Sequence, residues 1–304
     1  MKILFAGTTA GAAKVLEHLA RNNNIVAVLT REDAPAGRKA IMKSSAVATT
    51  ADSLGLPIIK ANRITEATDL VLKATGFELG VVVAYGTLLK QRTLDLAPRG
   101  WYNLHFSLLP AFRGAAPVQH ALLAGTTETG VSLFRLDSGM DTGPIIGQVS
   151  TMIEPDENAG ELLHRLTHIG ISLLDENLPR LAAGTAVERR QPSTGTAAPK
   201  VNRQHARISF KDSARQIENL VRACNPEPMA WCELGDESLR VLEARASLLA
   251  SELAIGEVRI EKNRVLVGTG NGTQLELLEV QPAGKKPMPA LAWARGLREQ
   301  VILK

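Results

Sequence analysis

Asn103 and His105 stand two residues apart in Trp101-Tyr102-Asn103-Leu104-His105, a short run with strand character. Side chains two apart on a strand share a face, so an amide and an imidazole come side by side at the strand's end. Asp141 lies in the polar turn Asp137-Ser138-Gly139-Met140-Asp141-Thr142, which follows an apolar run over 131–136. Such a turn can bring a carboxylate beside the imidazole. An amide, a histidine and a carboxylate suit acyl transfer: the amide stabilises a developing oxyanion, the imidazole moves a proton, and the carboxylate fixes its tautomer and raises its basicity. No covalent nucleophile is obvious, since Ser107 has no G-x-S-x-G elbow around it. On spacing alone, an Asn and a His that merely satisfy a strand end is an equal reading. His164 and His168, four apart on a predicted helix, have chelating spacing, but without an H-E-x-x-H carboxylate they read as helix surface.

These residues need a scaffold. Apolar runs over 2–6 and 25–29 flank helical spacing over 12–20, a strand, helix, strand unit that implies an open, mostly parallel α/β sheet. Ligands are then expected beyond the carboxyl ends of the strands, where His105 falls. Further strands are predicted over 57–61, 79–84, 101–105, 131–136 and 143–149, and further helices over 48–54, 116–124 and 158–181. The run Gly80-Val81-Val82-Val83-Ala84 is nearly continuous and apolar, as in a strand buried on both faces at a sheet's centre. Gly7-Thr8-Thr9-Ala10-Gly11 lacks the G-x-G-x-x-G spacing, which argues against a nicotinamide dehydrogenase. Residues 34–48 read as a long loop, and loops of that length are usually functional.

Gly184, Pro192, Ser193, Gly195 and Pro199 mark a linker, so the expected division is a catalytic domain over 1–184, a linker over 185–206 and a second domain over 207–304. The last stretch has one helical segment, 213–224, and short strands over 229–234, 240–246, 256–260, 264–268 and 275–280, the pattern of a small β-barrel.

With 304 residues, 45% of them hydrophobic and 22% charged, the chain can bury ample core. No apolar stretch nears the ~18 residues of a spanning helix, and the run over 3–6 breaks at Gly7 before a secretion signal could form. Two cysteines, Cys224 and Cys232, are too few for a disulfide framework, and a reducing cytoplasm is expected. Basic and acidic residues cancel over 1–184, so the whole net charge of +4 falls after residue 184. That asymmetry suggests a neutral catalytic body and a basic tail that could meet a polyanion.

Two long segments, 103–117 (Asn103-Leu104-His105-Phe106-Ser107-Leu108-Leu109-Pro110 through Arg113-Gly114-Ala115-Ala116-Pro117) and 130–143 (ending Asp137-Ser138-Gly139-Met140-Asp141-Thr142-Gly143), strongly resemble the folate-dependent formyltransferases. The resemblance continues through Phe5-Ala6-Gly7-Thr8, Pro35-Ala36-Gly37-Arg38, Val83-Ala84-Tyr85-Gly86, Asn225-Pro226 and Gln281-Pro282-Ala283-Gly284-Lys285-Lys286, and so covers nearly the whole chain. It implies a Rossmann-like catalytic domain followed by an OB-like barrel, and formyl transfer from 10-formyltetrahydrofolate to the α-amino group of methionine on initiator tRNA. Asn103, His105 and Asp141 would be the catalytic trio. Ser107, Leu108, Leu109 and Pro110, with Tyr85, Gly86 and Leu88, would line the folate pocket, while Arg38, Lys285 and Lys286 would touch the tRNA. The chain would act as a cytoplasmic monomer with neither metal nor membrane. The sequence departs from the family's pattern at Thr9, Gly11, the Lys43-Ser44-Ser45 stretch and Glu227. A sugar amine or glycinamide ribonucleotide would be an alternative acceptor for the same trio, against which the basic tail argues. A non-catalytic nucleic-acid module would not need all three residues.

Overall fold

The computed structural model describes every residue of the chain except 37–39, 248 and 298–300. The chain forms two compact units, one of Met1–Pro117, Glu128–Met152 and Leu163–Ala198, the other of Val118–Thr127, Ile153–Leu162 and Pro199–Lys304.

The first unit opens with β1 (Lys2–Gly7), α1 (Ala10–Asn22) and β2 (Asn24–Thr30). Thr9 caps α1 by accepting from Ala12 N–H, and the helix buries Ala12, Val15, Leu16 and Leu19, one apolar stripe. Next come β3 (Ala34–Ala36), β4 (Ile41–Lys43), α2 (Ala46–Ser53), β5 (Ile58–Lys60), α3 (Glu66–Ala74), β6 (Leu79–Val83), α4 (Gln91–Leu94) and β7 (Trp101–His105). After α5 (Pro117–Leu123), which falls in the second unit from Val118 on, follow β8 (Glu128–Arg135), β9 (Ile145–Met152) and α6 (Ala159–Ala183), the last in the first unit from Leu163 on. Seven strands form one sheet in the order β5-β2-β1-β6-β7-β8-β9, parallel up to β7 and antiparallel at β8 and β9.

β6 is the middle strand and is buried throughout, as its unbroken apolar run predicts. Gly80 is required there, because a Cβ would run into the indole of the fully buried Trp101 on β7. The chain moves outward from β1 to β2, then returns to β6 on the other side. This reversal opens a crevice at the carboxyl ends of β1 and β6, the usual ligand site of such sheets.

The structure differs from the sequence expectation in places. The long loop contains the antiparallel pair β3 and β4, in which Ile41 and Met42 are exposed. Helix α3, capped by Thr65 and Thr68, escapes the periodicity reading because it exposes Leu70 and Val71 and buries Asp69 with Leu72.

In the second unit, α7 (Ala214–Cys224) precedes β10 (Ala230–Leu234), β11 (Glu237–Ala246), β12 (Val258–Glu261), β13 (Arg264–Thr269), β14 (Thr273–Pro282), β15 (Met288–Pro289) and α8 (Ala290–Ala294). The strands run β10-β11-β14-β13-β12, with β15 beside β14. The chain's last residues close the barrel. Leu303 N–H donates to Gly256 O and Val258 N–H to Val301 O, while Lys304 exchanges backbone bonds with Glu233 of β10. Closure removes the two open edges that β10 and β12 would otherwise present. Cys224 and Cys232 lie in the barrel's core, where burial pushes their thiols up to about 11 and about 12.

Candidate active site

His105 ends β7, opposite Ser132 of β8, and is 5% exposed. Its Nε2 lies 2.9 Å from Phe112 O. A carbonyl oxygen only accepts, so Nε2 holds the hydrogen, and in the neutral ring Nδ1 holds the free lone pair. Asp141 Oδ2 is 3.7 Å from that Nδ1. This is too long for a direct hydrogen bond but close enough to stabilise an imidazolium formed at Nδ1. The tautomer is therefore fixed by the Phe112 carbonyl and not by the carboxylate, contrary to the role expected of Asp141. Burial pulls the His105 pKa below the ordinary histidine range, against the raising influence of Asp141 and of the Phe112 carbonyl. The shift favours the neutral ring, in which Nδ1 is the nitrogen left to accept a proton.

Asn103 sits two residues earlier on the same strand, paired with Phe134. Its Oδ1 is buried and has no hydrogen-bond partner among the described residues. An unpaired buried amide end is costly in a finished protein and useful where a ligand will meet it.

Asp141 adopts a left-handed backbone, φ +53°. Gly114 N–H donates to its Oδ2 at 2.8 Å, and Gln191 Nε2 donates to its backbone oxygen at 2.9 Å and to Gly143 O at 2.7 Å. The turn of Phe112 and Gly114 is itself irregular, with φ values of +60° and +126°. Sequence reasoning missed Phe112, Gly114 and Gln191. The first two act through backbone atoms, which leave no trace in residue type, though both lie inside the 103–117 motif.

Residues 1–178 match the formyl transferase family model, and residues 200–298 match that of the formyl transferase C-terminal domain. A methionyl-tRNA formyltransferase of Acidothermus cellulolyticus is 45% identical over 98% of both chains, and one of Leifsonia xyli subsp. xyli is 44% identical over the full length of both. This chain belongs to the methionyl-tRNA formyltransferase family. A sugar 3N-formyl transferase, solved in the presence of dTDP and 5-N-formyl-THF, shares the fold with a TM-score of 0.67 at 19% identity, over 94% of this chain and 99% of its own.

In this formyltransferase, the remaining expected residues occupy two places. Those expected to line the folate pocket flank the crevice. Since Val82 pairs with Asn103, the 84–88 turn leaves β6 level with His105. Gly86, at φ +84°, is open to solvent and Leu88 is exposed, whereas the Tyr85 hydroxyl turns inward to Ala61 O at 2.7 Å and burial pushes its pKa up to about 12. The Ser107 hydroxyl donates to Ala111 O at 2.6 Å, and Leu109 packs with Phe134 and Ile145, so this turn is held by its own side chains. Ser132 and Gln148 fasten it further: Leu109 N–H donates to Ser132 Oγ, and Gln148 Nε2 to Leu109 O. Leu108 and Pro110, half-buried, complete it. A cavity of about 700 Å³ opens at Thr87 and Leu88, rimmed by Arg63, Lys90 and Arg92.

Lys285 and Lys286 are exposed on the turn between β14 and β15. They adjoin a row that the sequence did not reveal, in which Arg207, Trp231, Arg240 and Gln281 face one another across neighbouring strands. Arg203 and Arg207 lie over the Trp231 ring, 4.6 and 5.7 Å from its centroid, and Gln281 Nε2 donates to Lys285 O. Arg38 falls outside the described residues.

Proposed function

We propose that this enzyme transfers the formyl group of 10-formyltetrahydrofolate to the α-amino group of methionine esterified to initiator tRNA, and that Asn103, His105 and Asp141 perform the transfer. The observation that carries the reading is the pairing of a buried imidazole, its Nδ1 turned to a carboxylate, with the Asn103 amide on the same strand face, whose Oδ1 is buried without a partner among the described residues. His105 Nδ1 takes the proton that the amine loses as its nitrogen attacks the formyl carbon, and the imidazolium returns a proton to the departing folate nitrogen. Asp141 stabilises the imidazolium between those events. The Asn103 Nδ2 donates to the formyl oxygen as it gains charge, while Oδ1 can only accept. A formamide-like carbonyl polarised in this way needs no metal. The 84–88 and 107–110 turns hold the folate, and Arg63 and Lys90 on the cavity rim suit the donor's carboxylate-bearing tail, Arg92 being already paired with Asp69.

In this reading residues 1–184 carry the chemistry and residues 207–304 meet the tRNA, with one cytoplasmic chain sufficing as a monomer. The test is to offer 10-formyltetrahydrofolate with charged initiator tRNA and assay formyl-methionine. Formylation of an amino sugar in preference to Met-tRNA would overturn the acceptor.

The tRNA role of Lys285 and Lys286 has its own expected result. Phosphate contacts release counterions, so the Lys285→Ala, Lys286→Ala double variant should flatten the salt dependence of tRNA binding by about one unit of slope per lysine. KM for Met-tRNA should rise, while the folate KM and the saturated rate stay constant, because only uniform binding is lost. Titration of Met-tRNA at several salt concentrations checks this, and an unchanged slope would assign the lysines to solvent.

A further inference from the structure

We propose that Gln191 is a positioning residue, which clamps the turn of Asp141 and so holds that carboxylate beside His105 Nδ1. The two donated bonds from Gln191 Nε2 reach the carbonyls on either side of Thr142, those of Asp141 and Gly143. They grip the stretch of backbone that holds Asp141, a non-glycine residue, at φ +53°. Left-handed backbone costs a side-chain-bearing residue free energy unless its surroundings enforce it. The other end of the same amide is also engaged: Gln191 Oε1 accepts from Arg113 Nε at 3.3 Å and Nη2 at 2.8 Å. Arg113 precedes Gly114, whose N–H holds the Asp141 carboxylate, and follows Phe112, whose carbonyl holds His105.

One primary amide thus ties together the two turns that orient the imidazole and its carboxylate. The segment beyond it reinforces the tie. Arg113 also donates to Pro192 O at 3.0 Å, Phe112 N–H donates to Thr196 Oγ1 at 2.8 Å, and Arg113 exchanges backbone bonds with Thr196 and Ala198. Glutamine fits this place because it alone combines two donors and an acceptor on a neutral planar group of that length.

Asp141 is the charged side chain recorded against the His105 ring, and the Phe112 carbonyl is the ring's other polar partner. The carboxylate raises the histidine pKa against burial. If the turn drifts, that support weakens and the pKa falls further. A base works in its neutral form, so the acid limb of the pH profile must then move to lower pH.

The experiment compares Gln191→Leu, which removes donors and acceptor, with Gln191→Glu, which keeps an acceptor for Arg113 but cannot donate to the two carbonyls. Both should lower kcat by about 10- to 100-fold, the scale of a small misplacement of a catalytic group. Both should also move the acid limb of kcat/KM to lower pH and leave the KM values for folate and Met-tRNA unchanged. A limb that stays in place, whatever the change in kcat or thermal stability, reduces Gln191 to a structural residue and overturns the proposal. Wild-type behaviour of Gln191→Glu overturns it too, by assigning the effect to Arg113. The proposal rests on His105 and Asp141 being the catalytic pair, so Asp141→Asn is measured alongside. Full activity and an unmoved limb in Asp141→Asn would sink the pair itself, whereas an impaired Asp141→Asn beside unimpaired Gln191 variants would sink only the clamp.

Discussion

His105→Ala is expected to lower kcat by about 10²- to 10⁴-fold, the range for loss of a positioned acid–base group. The amine must shed a proton to attack productively, and Nδ1 is the lone pair that the Phe112 carbonyl leaves free for it. The pH dependence should change as well. Burial holds the wild-type pKa below the ordinary histidine range, so the rising limb of kcat/KM lies on the acid side of that range. A protein with no imidazole at this position has no such limb. The measurement is single-turnover formylation across pH, with circular dichroism to confirm that the folded unit persists, since removing a buried ring leaves a cavity. Near-normal turnover, or a variant that keeps the acid limb, would take His105 out of the chemistry.

Asn103→Ala should cost about 10²- to 10³-fold in kcat, the usual price of one oxyanion donor. The fold should tolerate it better than most buried substitutions, because Asn103 Oδ1 has no partner to strand among the described residues. Charge grows on the formyl oxygen only as the tetrahedral intermediate forms, so KM for either substrate should barely move. The two residues serve one transition state, and the doubly substituted Asn103→Ala, His105→Ala chain should lose far less than the product of the separate effects. Strictly multiplicative losses would show that the amide acts elsewhere, and a rise in folate KM at unchanged kcat would make Asn103 a binding residue.

Local pattern determined a great deal about this protein. The period-2 spacing in 101–105 places Asn103 and His105 on one face of a strand, and that strand occupies those five residues. The apolar run of β6 implies burial on both faces, and β6 lies in the middle of the seven strands. Short strands parted by turn signals imply a small barrel, and antiparallel strands form it. Such features depend on side chains a few residues apart, so the sequence contains all the information they need.

What only the tertiary structure decided involves partners distant along the chain or groups that every residue shares. The His105 tautomer is chosen by a backbone carbonyl, which no residue type announces. Gln191, in a stretch whose glycines and prolines read as linker, reaches Asp141 across a sequence separation of 50 residues. Barrel closure depends on residues 301–304 meeting β10 and the segment leading into β12, which a linear reading leaves as an unremarkable tail. Helix α3 shows the converse, since its apolar residues are partly exposed and an aspartate is buried with Arg92 and Thr93 as partners. Periodicity reports which side chains seek a core, and it is silent where polar groups find their partners through the fold.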